Sequence, residues 1–177
     1  MDSLRDRDYT YPRDLNEYEN NISGGGMNFK NFIDMELLPK LKRDFSVDDK
    51  KITILGHSLG GYFVLFYLLN SMESGYSNIQ NFIAASPSLD YNNKSIFNLE
   101  KRLSTTAKDL KAKLYVSIGS LERDSSVHEN VFIEFRNQIK SPSYSRISTN
   151  FVEYSNFEYI DAAMPGFMKG LIFIFEN

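Results

Sequence analysis

The chain has 177 residues, of which 42% are hydrophobic and 24% charged, a composition typical of one globular domain with a sizeable core. Its net charge of −3, with lysine and arginine scattered along the chain, argues against a surface for nucleic acid or for an anionic membrane. The absence of cysteine excludes thiol nucleophiles, disulfides and thiolate metal ligands.

The first 26 residues are polar and end in Gly24, Gly25 and Gly26, which predicts a polar loop over residues 1–26. The charged start is not followed by an apolar run, so it lacks the pattern of a signal peptide. No stretch reaches the roughly 18 to 20 apolar residues of a membrane-spanning helix. The sequence leaves the cellular compartment open.

A helical pattern follows the loop. Apolar residues recur at helical spacing from Asn28 to Phe45, and Pro39 predicts a bend within that helix. Beyond it, short apolar runs alternate with longer helical patterns, and four strands separated by helices predict an α/β fold with a mostly parallel sheet. The predicted strands are Lys51 to Leu55, Phe82 to Ala85, Leu114 to Ile118 and Ser148 to Tyr154, and the predicted helices are Leu59 to Ser71, Ile96 to Leu103, Val127 to Ile139 and Ala162 to Phe175.

A Gly-x-Ser-x-Gly pentapeptide, Gly56 to Gly60, lies between the first predicted strand and an apolar helix. This is the setting of a nucleophile elbow, in which a sharp strand-to-helix turn presents a serine, here Ser58, above the sheet. A β-carbon at either glycine is expected to clash in so tight a turn. The backbone N–H of Leu59 then lies at a helix N-terminus, where it can donate to a developing oxyanion.

Four segments, in this order along the chain, carry a resemblance to a known family: GGGMNFKNFIDMELLP, GHSLGGYFVLFYLL, IAASPSLD and SIGSLE. The chain resembles the esterase family of α/β-hydrolases, which includes ferric-siderophore esterases and esterase D-like enzymes. The resemblance implies hydrolysis of a small-molecule carboxylic ester through an acyl-enzyme on Ser58, with no cofactor. It also implies that residues 1–177 form a single α/β-hydrolase domain that lacks its N-terminal strands and retains about four strands of the C-terminal portion.

A serine nucleophile needs a base, usually histidine, oriented by a carboxylate. Glu122, just after the third predicted strand, occupies the family's acid position, and Asp124 is the alternative. Aligning the last helix with the family places Tyr159 where the histidine is expected, and no histidine follows His128. A phenol with a pKa near 10 is protonated at neutral pH and accepts the serine proton poorly.

The two histidines of the chain are weak candidates for that base. His57 precedes Ser58 on a sharp turn, which indicates a packing or hydrogen-bonding role, and His128 opens a helix far from the last loop. Their spacing is not that of a metal site. The run Gly24 to Gly26 could be read as an oxyanion-hole segment, but no strand leads into it, and it matches the family's glycine-rich start of the helix before the elbow.

The missing strands have a second consequence. The family's elbow strand pairs with a strand from the N-terminal part, so Ile52 to Leu55 is expected to form an exposed apolar edge that is able to self-associate. Three hypotheses follow from the sequence: a serine ester hydrolase with an unusual partner for Ser58, a non-catalytic relative that binds a small-molecule ligand, and a C-terminal fragment of a longer esterase.

Overall fold

The computed structural model describes residues 2–15, 22–106, 110–122 and 126–176. Its helices are α1 (Asp2–Tyr9), α2 (Gly26–Phe32), α3 (Leu38–Asp44), α4 (Leu59–Ser74), α5 (Tyr91–Thr106), α6 (Ser126–Ile139) and α7 (Ala163–Phe175). Its strands are β1 (Thr53–His57), β2 (Asn81–Ala85), β3 (Ala112–Gly119) and β4 (Ile147–Tyr154). A π-helical turn, Ile33–Leu37, joins α2 to α3.

The four strands form one parallel sheet in the order β1-β2-β3-β4. Gly56 is paired with Ala84, and Ala84 with Val116, so the strand that leads into the elbow lies at an edge. All four predicted strands are present, and the mostly parallel α/β fold is confirmed. The expectation that Ile52 to Leu55 forms an edge is confirmed for the described residues, and Leu55 is 43% exposed.

Helices cover both faces of the sheet. Helix α4 packs on β1 and β2, and its side chains are buried around most of its circumference because α1 and α5 cover its other sides. Helix α7 packs on the opposite face, where Ile83, Tyr115 and Ile174 form a second, smaller core. None of the described helices is long and apolar enough to cross a membrane.

The loop predicted over residues 1–26 is wrong for its first part, because residues 2–9 form helix α1. The helix has no amphipathic pattern, and tertiary contacts stabilise it instead. The ring of Tyr9 packs 5.7 Å from that of Phe29 and 6.0 Å from that of Phe63, measured between centroids. The N–H groups of Gly25 and Gly26 donate to the carbonyls of Arg7 and Thr10.

A π-helical turn, Ile33–Leu37, ends just before Pro39, where the sequence predicted a bend. Proline has no N–H to donate back into the helix, and the N–H of Leu38 donates to the carbonyl of Ile33, five residues earlier. Asp34 in this turn accepts hydrogen bonds from Tyr67, Lys30 and Asn78. Burial is the largest cause that raises the pKa of Tyr67, and the hydrogen bond to the Asp34 carboxylate raises it further.

The two glycines that flank Ser58 have different roles. A β-carbon on Gly56 would lie 2.3 Å from the carbonyl carbon and oxygen of Gly60, so the turn requires glycine at position 56. A β-carbon on Gly60 would meet nothing within 4 Å. The expectation that a β-carbon would clash at either glycine is therefore wrong for Gly60. This residue lies in the first turn of α4, and a β-carbon there would face open space.

This difference provides a matched pair of variants. Gly56→Ala is expected to lower the free energy of unfolding by about 2 kcal/mol or more, because backbone atoms of Gly60 cannot move aside cheaply. Gly60→Ala is expected to leave it unchanged or raise it by up to about 1 kcal/mol, the helix preference of alanine over glycine. Urea denaturation followed by circular dichroism measures both changes. Equal stabilities of the two variants would contradict the assignment of the tight contact to Gly56.

Candidate functional site

The backbone at Ser58 has the geometry of a nucleophile elbow. Ser58 has φ 61° and ψ −126°, a region that residues other than glycine rarely adopt. Its N–H donates to the carbonyl of Ala85 at 3.1 Å, and its own carbonyl accepts from Tyr62 at 2.9 Å and from Ser88 at 3.2 Å. These bonds tie the turn to α4 and to the end of β2. The residue is 7% exposed.

The hydroxyl of Ser58 lies beside a positive charge. Among the described residues, its Oγ has two hydrogen-bonding partners: Nη2 of Arg5 donates to it at 3.1 Å, and the Oγ of Ser88 lies 3.5 Å away. A guanidinium cannot accept a proton, but it stabilises negative charge on a neighbouring oxygen. Arg5 therefore stabilises an anionic oxygen at this position more than a site without a cation would.

The sequence carried no signal for Arg5 as a partner and a weak one for Ser88. Arg5 lies in α1, within the segment predicted to be loop, and no motif relates it to position 58. Ser88 had a weak signal, because it follows β2, and the carboxyl ends of neighbouring parallel strands meet at one edge of a sheet. A polar residue after β2 is thus a reasonable neighbour for a serine after β1.

The glycine run before α2 does not supply an oxyanion hole. The N–H of Gly24 donates to Oγ1 of Thr10 at 2.9 Å, and the N–H groups of Gly25 and Gly26 donate to carbonyls of the α1 segment at 2.7 and 2.8 Å. All three donors are occupied, and Gly26 begins α2. The interpretation of this run as the start of the helix before the elbow is confirmed.

His57 and Tyr159 hold the last loop against the elbow. Nε2 of His57 lies 3.1 Å from the backbone carbonyl of Tyr159, and the two rings pack with centroids 4.5 Å apart. The carbonyl can only accept, so Nε2 carries the proton. The expected hydrogen-bonding role of His57 is confirmed, and with Nε2 bonded to Tyr159 this imidazole is not one of the two partners of the Ser58 hydroxyl.

Glu122 lines a cavity that also borders Ser88. Its Oε1 accepts hydrogen bonds from the hydroxyl of Ser86, at 2.6 Å, and from the N–H of Gly119. Glu122 and Tyr159 both line this cavity, which has a volume of about 300 Å³ and also borders Ser88, next to Ser58. Glu122 and Tyr159 thus line one cavity together with Ser88, and Arg5 contacts Ser58 from α1.

Two of the candidates considered in the sequence are not assigned a position in the site. Asp124 lies outside the described residues, and His128 belongs to α6 but its side chain is not among those described. Leu59 begins α4 directly after Ser58, so its N–H lies at the N-terminus of that helix. Among the described residues, no group of His, Asp and Glu side chains is arranged to hold a metal ion.

Comparisons with known proteins point to one family. A family model described as “Putative esterase” matches residues 3–160. Ferri-bacillibactin esterase BesA of Bacillus subtilis (strain 168) is 32% identical over 164 residues, which are 86% of this chain and 55% of that protein. This chain therefore spans about half the length of that curated relative.

Solved structures agree with this similarity. The crystal structure of the BES protein from Bacillus cereus superposes with a TM-score of 0.81 at 28% identity, covering 98% of this chain and 64% of that one. The siderophore hydrolase EstB from Aspergillus nidulans has the same TM-score at 21% identity, covering 98% of this chain and 65% of that one, and it supports the fold alone.

The contacts of Glu122 predict a structural contribution that can be measured without any substrate. Glu122→Ala leaves the Ser86 hydroxyl and the Gly119 N–H without this acceptor, so the free energy of unfolding should fall by about 1 to 3 kcal/mol. Glu122→Gln keeps an oxygen acceptor and should retain more than half of that stability. Glu36→Ala, at an exposed carboxylate, is the matched control and should have little effect. Urea titration measures the free energy of unfolding of all three variants. Equal losses of stability for Glu122→Ala and Glu36→Ala would contradict a structural contribution of the two Glu122 hydrogen bonds.

Proposed function

This chain belongs to the esterase family, and on that basis we propose that it is a carboxylic ester hydrolase whose nucleophile is Ser58. The observation that carries the proposal is the strained elbow at Ser58, with the guanidinium of Arg5 3.1 Å from the hydroxyl oxygen. A strained serine next to a cation is costly for a fold, and such strain is found preferentially at active sites.

In the proposed reaction, Oγ of Ser58 attacks the carbonyl carbon of the ester, and the carbonyl oxygen becomes an oxyanion. The backbone N–H of Leu59 donates a hydrogen bond to this oxyanion, and the guanidinium of Arg5 donates a second one in place of the usual second backbone donor. The carbon–oxygen bond to the alcohol then breaks, the alcohol takes up a proton, and an acyl-enzyme remains on Ser58. Water hydrolyses the acyl-enzyme and releases the carboxylic acid.

The serine proton has to leave without help from either partner of the hydroxyl. Arg5 is already fully protonated, and Ser88 is no stronger a base than water. We therefore propose that hydroxide or water removes the proton, which makes turnover slow at neutral pH and faster as the pH rises. General base catalysis commonly contributes about 10²- to 10⁴-fold to the rate. The proposed site lacks this contribution, so its rate of acylation should be lower by about that factor.

The substrate class follows from the relatives. The Bacillus subtilis relative is named as a ferri-bacillibactin esterase, and we propose a siderophore-type ester for this chain. The cavity of about 300 Å³ beside Ser88 is at the small end of the range for ligand pockets, so it would take one arm of such a molecule.

A second function is favoured by the position of Tyr159. With a phenol lining the cavity where the family carries histidine, the site could bind an ester or a carboxylate between Arg5, Ser58 and Ser88 without cleaving it. This alternative is a ligand-binding relative of the esterases. It shares the anion-stabilising geometry with the first function and differs in that no acyl-enzyme forms.

A fluorophosphonate probe distinguishes the two functions. The probe should label the wild-type chain and leave Ser58→Ala unlabelled, because labelling requires a bond to Oγ. Arg5→Met should slow labelling by about 10²-fold, the usual cost of one oxyanion donor. Arg7→Met is the control on the same helix, since within the part of the chain that the structure describes the Arg7 side chain forms an exposed ion pair with Asp8 and does not contact Ser58. If the wild-type chain is not labelled even at pH 9, the ligand-binding alternative replaces the hydrolase.

Introducing the missing imidazole tests the assignment of position 159. Tyr159→His should raise the rate of p-nitrophenyl acetate hydrolysis by at least about tenfold at pH 7.5, because an imidazole there can accept the serine proton. Tyr159→Phe and the double variant Ser58→Ala/Tyr159→His should show no such rise. An unchanged rate in Tyr159→His, in a protein with the wild-type circular dichroism spectrum, would count against position 159 as the site of the base.

A further inference from the structure

The hydroxyl of Ser88 lies between Ser58 and a cavity. Its Oγ is 3.5 Å from that of Ser58, and Ser88 also lines the cavity of about 300 Å³. The guanidinium of Arg5 donates to Oγ of Ser58 and cannot accept a proton, so among the described residues the acceptor for the Ser58 proton is Oγ of Ser88. A separation of 3.5 Å is long for a hydrogen bond, but bonds of this kind often shorten when a ligand binds.

The proton of the Ser88 hydroxyl then has no acceptor in the described part of the chain. The position of Ser88 is fixed by its backbone, because its N–H donates to the carbonyl of Ser58 at 3.2 Å. A hydroxyl has one proton to donate, and Ser88 can donate it to a molecule that occupies the cavity. The series of hydrogen bonds from Arg5 through Ser58 to Ser88 therefore ends at the cavity and lacks an acceptor there.

The same cavity contains a carboxylate that can accept a hydrogen bond from a ligand. Glu122 lines it, and Oε1 of Glu122 accepts from the hydroxyl of Ser86 and from the N–H of Gly119. An ionised carboxylate has about four acceptor positions on its two oxygens, so these two bonds do not exhaust its capacity. A ligand that satisfies both Ser88 and Glu122 must accept a hydrogen bond on one side and donate one on the other.

A neutral imidazole ring combines these two properties, because one ring nitrogen accepts a hydrogen bond and the other carries an N–H. The cavity also has apolar walls for a flat ring, formed by Ile118, Val131 and Phe132. A cavity of about 150 Å³ is large enough to bind benzene. A cavity of about 300 Å³ therefore accommodates a five-membered ring and leaves room for part of an ester.

We propose that this cavity binds a small neutral nitrogen base of the imidazole type between Ser88 and Glu122, and that Ser88 relays the proton of Ser58 to it. As Oγ of Ser58 forms its bond to the ester carbonyl carbon, its proton passes to Oγ of Ser88, and the proton of Ser88 passes to the ring nitrogen. The imidazolium, stabilised by the Glu122 carboxylate, returns a proton by the same route to the oxygen of the departing alcohol. The relay rests on the proposed role of Ser58 as the nucleophile, whereas the binding of the ring does not.

Titration with imidazole, followed by NMR, tests the binding site without any ester. Ser58→Ala, which cannot form an acyl-enzyme, should bind imidazole saturably with a dissociation constant on the order of 1–10 mM, a range typical of a five-atom ligand. 1-Methylimidazole keeps the acceptor and has no N–H, so it should bind about tenfold more weakly, the contribution of a hydrogen bond to a charged group. Titration that does not saturate, or equal affinity for the two ligands, would overturn the site.

Variants of Glu122 test its part in the same titration. Glu122→Gln removes the negative charge and keeps an oxygen acceptor, so imidazole should bind about three- to tenfold more weakly than to the chain with Glu122. Glu36→Gln, at an exposed carboxylate of the π-helical turn, is the matched control and should bind imidazole with unchanged affinity. Equal weakening by the two substitutions would contradict a contact between the ring and Glu122.

Labelling of Ser58 by a fluorophosphonate tests the relay, because the label is measured on the protein itself. At pH 7, saturating imidazole should accelerate labelling of the wild-type chain by at least about 10²-fold. Half of the effect should appear at the dissociation constant found by NMR. Ser88→Ala should lose most of the acceleration, and Ser88→Thr, which keeps a hydroxyl, should retain it. Equal acceleration in Ser88→Ala and Ser88→Thr would overturn the relay.

The ring can come from solution or from the ester itself, and two esters distinguish these sources. N-acetylhistidine methyl ester carries an imidazole, and N-acetylphenylalanine methyl ester does not. Hydrolysis of the first that is at least about tenfold faster without free imidazole would assign the ring to the substrate. Equal rates, with both raised by free imidazole, would assign it to solution.

The two measurements separate failure of the binding site from failure of the proposed function. A chain that is labelled without imidazole and does not bind imidazole would keep Ser58 as the nucleophile and overturn the cavity as the site of a base. A chain that binds imidazole and is not labelled at any imidazole concentration would overturn both Ser58 as the nucleophile and the relay through Ser88.

Discussion

The tight turn between β1 and α4 is the constraint on which the site depends. A residue other than glycine with φ near +60° and an extended ψ costs on the order of 1–3 kcal/mol, and Ser58 adopts this conformation because its surroundings leave no alternative. Its N–H is bonded to β2, and its carbonyl is bonded both to α4 and to the loop after β2. Relaxing the turn would break bonds to all three of these elements.

Burial of α4 offsets this strain. The helix is apolar on nearly all sides, and its residues from Tyr62 to Leu69 are almost completely buried between the sheet, α1 and α5. Removing that much apolar surface from water contributes far more than the few kilocalories that the turn costs. The direction of α4 is thus set by its core contacts, and Gly56 allows the chain to turn sharply enough to reach it.

The sequence predicted the parts of the fold that depend on local pattern. The β-branched strand, the glycines and the apolar helix together located the elbow, and short apolar runs located the other three strands. The parts that depend on tertiary contacts were not predictable. Helix α1 has no amphipathic pattern and is stabilised by the packing of Tyr9 and by the hydrogen bonds from Gly25 and Gly26. Its Arg5 could therefore not be related to Ser58 from the sequence.

The backbone of the elbow and the chemistry around its hydroxyl are maintained by different groups. None of the bonds that hold the Ser58 backbone involves Oγ, whereas its polar neighbours come from α1 and from the loop after β2. Position 159 is attached to the elbow by its ring, which packs on that of His57, and by its carbonyl, which accepts from His57 whichever side chain the residue carries. A substitution at position 159 therefore leaves this hydrogen bond available, and the strain at Ser58 is held by backbone bonds and by the core, not by the polar neighbours of its hydroxyl.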